Sequence, residues 1–116
     1  MGVTLHGIPN CDTVKKARTW LAEHGIAHEF RDYKKQAPRR EELERWADAL
    51  GWEALVNRQG TTFRRLPEAD KIGLDRERAI DLMLAQPSLI RRPLVERDGA
   101  AERVGFKADD WEAAFG

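Results

Sequence analysis

Within residues 1–33 the hydrophobic period changes twice, and that short stretch constrains the fold more than any other part of the chain. Val3-Thr4-Leu5-His6 alternates apolar and polar residues, the period-two pattern of a strand, and stops at Gly7. Gly7-Ile8-Pro9-Asn10 is turn chemistry. From Asp12 or Thr13 the spacing of Val14, Ala17 and Leu21, with Trp20 beside them, becomes helical, and His24-Gly25 supplies a helix stop. Ala27–Tyr33 alternates again as a second strand. Strand, turn, helix and strand in so few residues predict a βαβ unit with parallel strands and a right-handed crossover.

Downstream, Pro38 opens a helix whose first turn holds Glu41 and Glu42, both favourable to the helix dipole. Its apolar stripe is Leu43, Trp46, Ala47 and Leu50, and Gly51 ends it. Residues 52–66 read as mostly loop with a short helical turn. Asp75 caps a third helix that turns Ala79, Ile80, Met83 and Leu84 inward and stops at Pro87. Leu94–Arg97, the Asp98-Gly99 turn and Glu102–Phe106 form a hairpin, and a last short helix starts at Asp109 or Asp110 with Trp111, Ala114 and Phe115. Met83 and the four Trp residues fall on or beside helical stripes and read as core or rim. This order predicts an α/β fold: a mixed sheet flanked by helices.

A chain of 116 residues fits one compact domain that can rest on its own hydrophobic core. No apolar run approaches a membrane span, and MGVTLHGIPN lacks a basic leader and an apolar segment, so a soluble cytoplasmic protein without a signal peptide is expected. Lys plus Arg and Asp plus Glu number 20 each, which argues against a dedicated nucleic-acid binder and leans, with the small size, toward a monomer. The cations are mostly arginine, whose planar fork suits oxyanions. One cysteine excludes an internal disulfide, a thiolate zinc cage and an iron–sulfur cluster. His6, His24 and His28 have no metal-ligand spacing; His6 reads as a satisfied strand histidine and His24 as a helix C-terminal cation.

Cys11 falls between the turn after the first strand and the first helical turn. Free backbone N–H groups and the helix dipole there favour a thiolate, and the Thr13 hydroxyl is placed to donate to the sulfur. Lys15, Lys16 and Arg18 follow within two turns, whereas the Asp12 carboxylate opposes a thiolate. Most lone cysteines are small buried hydrophobes, yet a Pro-Asn-Cys-Asp turn is an unusual place for one. On position alone the two readings stand level. Arg91-Arg92-Pro93 is the second candidate: Arg92, extended before a proline whose peptide bond is a cis candidate, either holds an oxyanion beside Cys11 or belongs to a solvated pair at a strand edge. Arg58, Arg64 and Arg65 either close the same site or lie in a solvated loop.

The segment Gly7-Ile8-Pro9-Asn10-Cys11-Asp12-Thr13-Val14-Lys15-Lys16-Ala17-Arg18 resembles the active-site segment of the ArsC-like family of arsenate reductases and Spx proteins, most closely its small YffB-type branch. The resemblance continues through Asp32-Tyr33, Gly51–Asn57, Gly60–Arg64 and Ile90–Leu94 to about Phe106. It implies a thioredoxin-like fold with a helical insertion at about residues 38–85. It also implies that Cys11 is a nucleophile, that Asn10, Thr13, Arg58 and Arg92 form the anion site, with Pro93 as the cis-proline, and that no metal takes part. Glutathione would serve as the external thiol and co-substrate, with glutaredoxin resolving the mixed disulfide. Where the reductases carry an arginine in the last strand this chain has Val104, and Asp12 replaces a small residue, so glutathione-dependent thiol chemistry on a substrate other than arsenate is expected. The alternative is a Spx-like regulator docking on RNA polymerase, without the Cys-x-x-Cys switch because Val14 stands at the second position.

Overall fold

A computed structural model describes residues 2–116. The parallel pair predicted from the opening residues is present: β1 (Val3–Gly7) leads through α1 (Asp12–Glu23) into β2 (Glu29–Asp32), which pairs with it from Thr4↔Glu29 to Gly7↔Asp32. β2 starts two residues later than its alternation suggests, because β1 offers no paired partner before Thr4. Gly25, at φ +68, gives the backbone the left-handed turn that ends the helix region.

β3 (Leu94–Arg97) lies antiparallel on the other side of β1, and β4 (Ala100–Val104) completes a four-stranded sheet in the order β2-β1-β3-β4. Asp98 and Gly99, at φ 54 and 83, make the tight turn, and Arg97 pairs with Ala100. The returning strand therefore begins at Ala100 rather than Glu102, with a register shift at Val95/Glu96.

Between β2 and β3 run α2 (Arg40–Leu50), α3 (Trp52–Leu55), α4 (Thr61–Arg64), α5 (Glu68–Lys71) and α6 (Arg76–Ala85), then a 3-10 turn at Pro87–Leu89. The expected loop at 52–66 thus holds two single-turn helices, too short to show a 3.6-residue period. Helix α2 begins at Arg40, not Pro38: Pro38 is buried, and the Arg39 N–H donates to Glu42 Oε1 at 3.0 Å. The Asp75 cap is as expected, its carboxylate accepting from the Arg78 N–H at 2.9 Å. The last helix, α7 (Ala108–Phe115), starts one residue before Asp109.

The sheet separates two cores. On one face Val3, Leu5 and Val95 pack against Ala17, Trp20 and Leu21 of α1 and Trp111 of α7. On the other, Tyr33 and Leu94 meet Leu43 and Trp46 of α2 and Ala79, Ile80 and Met83 of α6. His6, 2% exposed, points into the second layer, its Nε2 2.5 Å from Glu96 Oε1, while the Trp46 indole donates to Glu96 Oε2 at 3.2 Å. Burial pushes the His6 imidazole down, against the pull of Glu96, and its ring packs against Tyr33 and Trp46. Among the described residues no helix is long and apolar enough to cross a membrane.

The join between β2 and α2 is a buried fork. Arg31 binds Glu42 through both guanidinium ends, and its Nη2 also donates to the Ala37 carbonyl at 3.2 Å. Arg31, with the Arg39 N–H, outweighs the burial penalty on Glu42 and holds its carboxyl at about 2, against an ordinary 4.5. A lowered carboxylate pKa stabilises the fold above the unfolded value and loses that contribution as pH falls through the folded one. Glu42→Gln should therefore lower unfolding free energy at pH 7 by up to roughly 3 kcal/mol. Urea titrations from pH 6 to 2 should show the variant losing less stability than the parent between about pH 4.5 and 2.

Candidate functional site

The site begins where a missing side chain lets three segments converge. A Cβ on Gly7 would stand 2.8 Å from Val14 Cγ2 and 3.7 Å from Arg92 Cβ, so glycine at the end of β1 allows α1 and the entrance of β3 to close on each other. The chain then turns, with the Cys11 N–H donating to the Ile8 carbonyl at 3.2 Å, and Cys11 takes the N-cap position of α1 at φ −88, ψ 124. Its carbonyl starts the helix by accepting from the Lys15 N–H at 3.0 Å.

The Cys11 side chain is half-buried at the foot of the helix. Burial pushes its thiol up; the Val14 N–H, the Arg92 guanidinium and the Thr13 N–H together outweigh this and hold the thiol below its ordinary range. Thr13 acts here through its backbone. The donors that favour the thiolate are thus the N–H groups of the first helical turn and one guanidinium, and the half-buried sulfur remains reachable.

Arg92 precedes a cis peptide bond to Pro93, which is buried. Its Nη1 donates to the Ser88 and Ile90 carbonyls at 3.0 and 3.2 Å, while its buried Nε has no partner. The guanidinium is anchored by backbone and neutralised by no carboxylate. The facing wall is the segment after α3. Val56 bridges Ile90, the Asn57 N–H donates to the Leu89 carbonyl at 2.8 Å, and the Arg91 N–H donates to the Leu55 carbonyl at 2.6 Å. This seam holds Arg58 over the same hollow as Arg92. Asn57 Oδ1 accepts from the Gln59 N–H at 3.2 Å, and a Cβ on Gly60 would meet the Asn57 amide at 2.8 Å, so the loop folds on its own side chain.

The result is a cleft of about 380 Å³ lined by Cys11, Thr13, Glu53, Val56, Asn57, Arg58, Gln59, Arg91 and Arg92. Four of the sequence-derived candidates, Cys11, Thr13, Arg58 and Arg92, thus share one cavity. Asn10 is exposed and does not line it, and the Asp12 carboxylate also turns to solvent. Arg65 borders a separate hollow with Leu66 and Gln86, Arg64 is exposed, and Arg18 lies over the Phe30 ring at 4.4 Å. Glu53, Asn57 and Gln59 carry no mark as site residues in the sequence, whereas Arg91 belongs to the Arg91-Arg92-Pro93 candidate, in which the anion-binding role falls on Arg92. The available signal was Arg91 beside Arg92 and the polar Asn-Arg-Gln-Gly run around Arg58. Among the described residues no group of three or more His, Cys, Asp or Glu side chains is arranged to hold a metal ion.

Residues 6–114 match the ArsC family. A solved structure named YffB is 54% identical, with 98% of this chain and 99% of that one covered and a TM-score of 0.92. The solution structure of an arsenate reductase (ArsC) related protein from Brucella melitensis is 53% identical, covering 99% and 95% of the two chains, with a TM-score of 0.81. The global transcriptional regulator Spx of Listeria monocytogenes is 28% identical over 110 residues, 93% of this chain and 82% of that protein.

Arg92 supplies both a donor and a charge to the thiolate, so its removal should raise the Cys11 pKa. Ultraviolet titration of the thiolate should show Arg92→Ala ionising at higher pH than the parent, with Arg92→Lys between them. Identical curves for the parent and Arg92→Ala would remove Arg92 from the site.

Proposed function

The chain belongs to the ArsC family, and we propose that it is a glutathione-dependent thiol oxidoreductase that uses Cys11 as its nucleophile. One observation carries this reading: a half-buried sulfur, its thiol held below the ordinary range, opens into a cleft that Arg58 and Arg92 also line, with Arg91 at its border. Thiol exchange needs an ionised attacking sulfur and a cationic cradle for an anionic partner, and a one-cysteine chain must obtain its resolving thiol from outside.

In the proposed cycle the Cys11 thiolate attacks the glutathione sulfur of a mixed disulfide. A Cys11–glutathione bond forms as the original S–S bond breaks, and the second thiol leaves as a thiolate that takes a proton from solvent. A second glutathione, as its thiolate, or glutaredoxin then attacks the new disulfide and returns Cys11 to its thiolate. With glutathione as resolver, one mixed disulfide is reduced and two glutathiones become one oxidised glutathione, so no further oxidant or reductant enters. Arg92, with Arg58 opposite, holds glutathione carboxylates; the helix N-terminus keeps the sulfur ionised between turns.

Arsenate is the poorer fit. Val104 pairs with Leu94 and lines a neighbouring hollow with Arg91 and Phe106, supplying no cation to the Cys11 cleft. Asp12, which also counted against arsenate, faces away; the carboxylate that lines the cleft is Glu53.

The similarity to Spx favours a second reading, a module that binds RNA polymerase. Val14, where a Cys-x-x-Cys switch would need its second thiol, is fully buried against Gly7. Iodoacetamide labelling across pH and exposure to oxidised glutathione separate the two. The enzyme should be half-maximally alkylated below about pH 8.5, the free-thiol value. It should acquire one glutathionyl adduct by intact mass, absent in Cys11→Ser and removed by glutathione or glutaredoxin. A free-cysteine alkylation profile without an adduct, alongside polymerase capture by both parent and Cys11→Ser, would overturn the oxidoreductase in favour of the binding module.

A further inference from the structure

The Cys11 cleft is not uniformly cationic. Arg58 and Arg92, with Arg91 at its border, share it with one carboxylate, Glu53, and with the neutral Thr13, Asn57 and Gln59. In a site for a simple oxyanion such a carboxylate is a penalty, since like charges repel. We infer that Glu53 makes the cleft selective for zwitterionic disulfides: it takes an ammonium group while the arginines take carboxylates, as the γ-glutamyl end of glutathione would present them. This rests on the thiol-exchange reading above and adds to it the residue that reads the substrate's amino group.

Three observations support the assignment. First, the opposite charges are present but not spent on each other. Among the described residues Glu53, Arg58 and Arg91 make no ion pair within 4.0 Å, whereas Glu42, Asp48 and Asp81 are each paired with an arginine. A ligand carrying both signs can bridge groups that do not reach one another. Second, Glu53 sits on α3, which the seam from Leu55 to Asn57 ties to the segment carrying Arg91 and Arg92, so the acid and the cations share one frame. Third, about 380 Å³ exceeds what a tetrahedral oxyanion fills and lies at the small end of organic-ligand sites, where the Asn57 and Gln59 amides can meet peptide groups. Glutathione, with two carboxylates and one ammonium, carries a group for the arginines and a group for Glu53.

The test is single-turnover glutathionylation of the full chain, followed by intact mass. The three probes are oxidised glutathione, the same disulfide acetylated on both amino groups, and bis(2-hydroxyethyl) disulfide, to whose rate the others are normalised. The parent should prefer the free-amine disulfide to the acetylated one by roughly three- to fivefold, the scale of one exposed ion pair. Glu53→Gln should lose most of that preference, and Glu53→Lys should reverse it. Equal normalised rates for the two glutathione disulfides in the parent, or a preference unchanged in both variants, would overturn the role of Glu53 while leaving the exchange chemistry standing. No reaction of the parent with any of the three would overturn both.

Discussion

The wall of the cleft that faces Cys11 depends on a short seam of backbone hydrogen bonds between two segments more than thirty residues apart. Residues 55–57 lie along 89–91, with Asn57 donating to Leu89, Arg91 donating to Leu55, and Val56 bridging Ile90. One strip comes from the helices between β2 and β3, the other from the entrance of β3. Neither belongs to the sheet proper, and without the seam Arg58 would be one more solvated loop arginine. The two strips also close over the second core, since Leu55, Val56, Leu89 and Ile90 are all buried there. The bonds that align the cleft walls thus sit on apolar packing, which shields them from water and sets the spacing of the charges above.

Against that frame, the sulfur is governed by opposing effects of ordinary size. Partial burial disfavours a thiolate, and the N–H groups of the first helical turn and one guanidinium favour it more. The balance depends on how closely α1 approaches β1, which Gly7 and Val14 determine. A residue with no side chain therefore contributes to the chemistry of a neighbouring thiol by permitting an approach rather than by making a contact. Burial of the sulfur is held to a level that leaves it both ionisable and open to a partner.

How much of this is legible in the sequence follows from the range of each interaction. The β1–α1–β2 unit, the Asp75 cap, the Asp98-Gly99 turn and the junction position of Cys11 are local, and local patterns mark them. The single-turn helices α3 and α4 have no period to display, and Pro38 looks like a helix start because its burial depends on tertiary contacts. The resemblance to the ArsC family reaches further, and Thr13, Arg58 and Arg92 do border the cleft with Cys11, whereas Asn10 faces solvent. Glu53, Asn57 and Gln59 stay hidden because they enter the cleft through the seam, a pairing that no local pattern encodes.

The arginine content shows why counting charges is a weak guide to binding sites. Arg31, Arg40, Arg76, Arg78, Arg97 and Arg103 are paired with carboxylates of neighbouring elements, as in Arg76–Asp48 between α6 and α2 and Arg97–Glu102 within the hairpin. These forks join elements, and they account for much of the zero net balance. Among the described residues Arg58 and Arg91 have no such partner, and Arg92 is held by carbonyls, which position it without cancelling its charge. A chain that is neutral overall therefore concentrates unneutralised positive charge beside its single thiol. The information about binding lies in which arginines the fold leaves unpaired, and where, rather than in how many the chain contains.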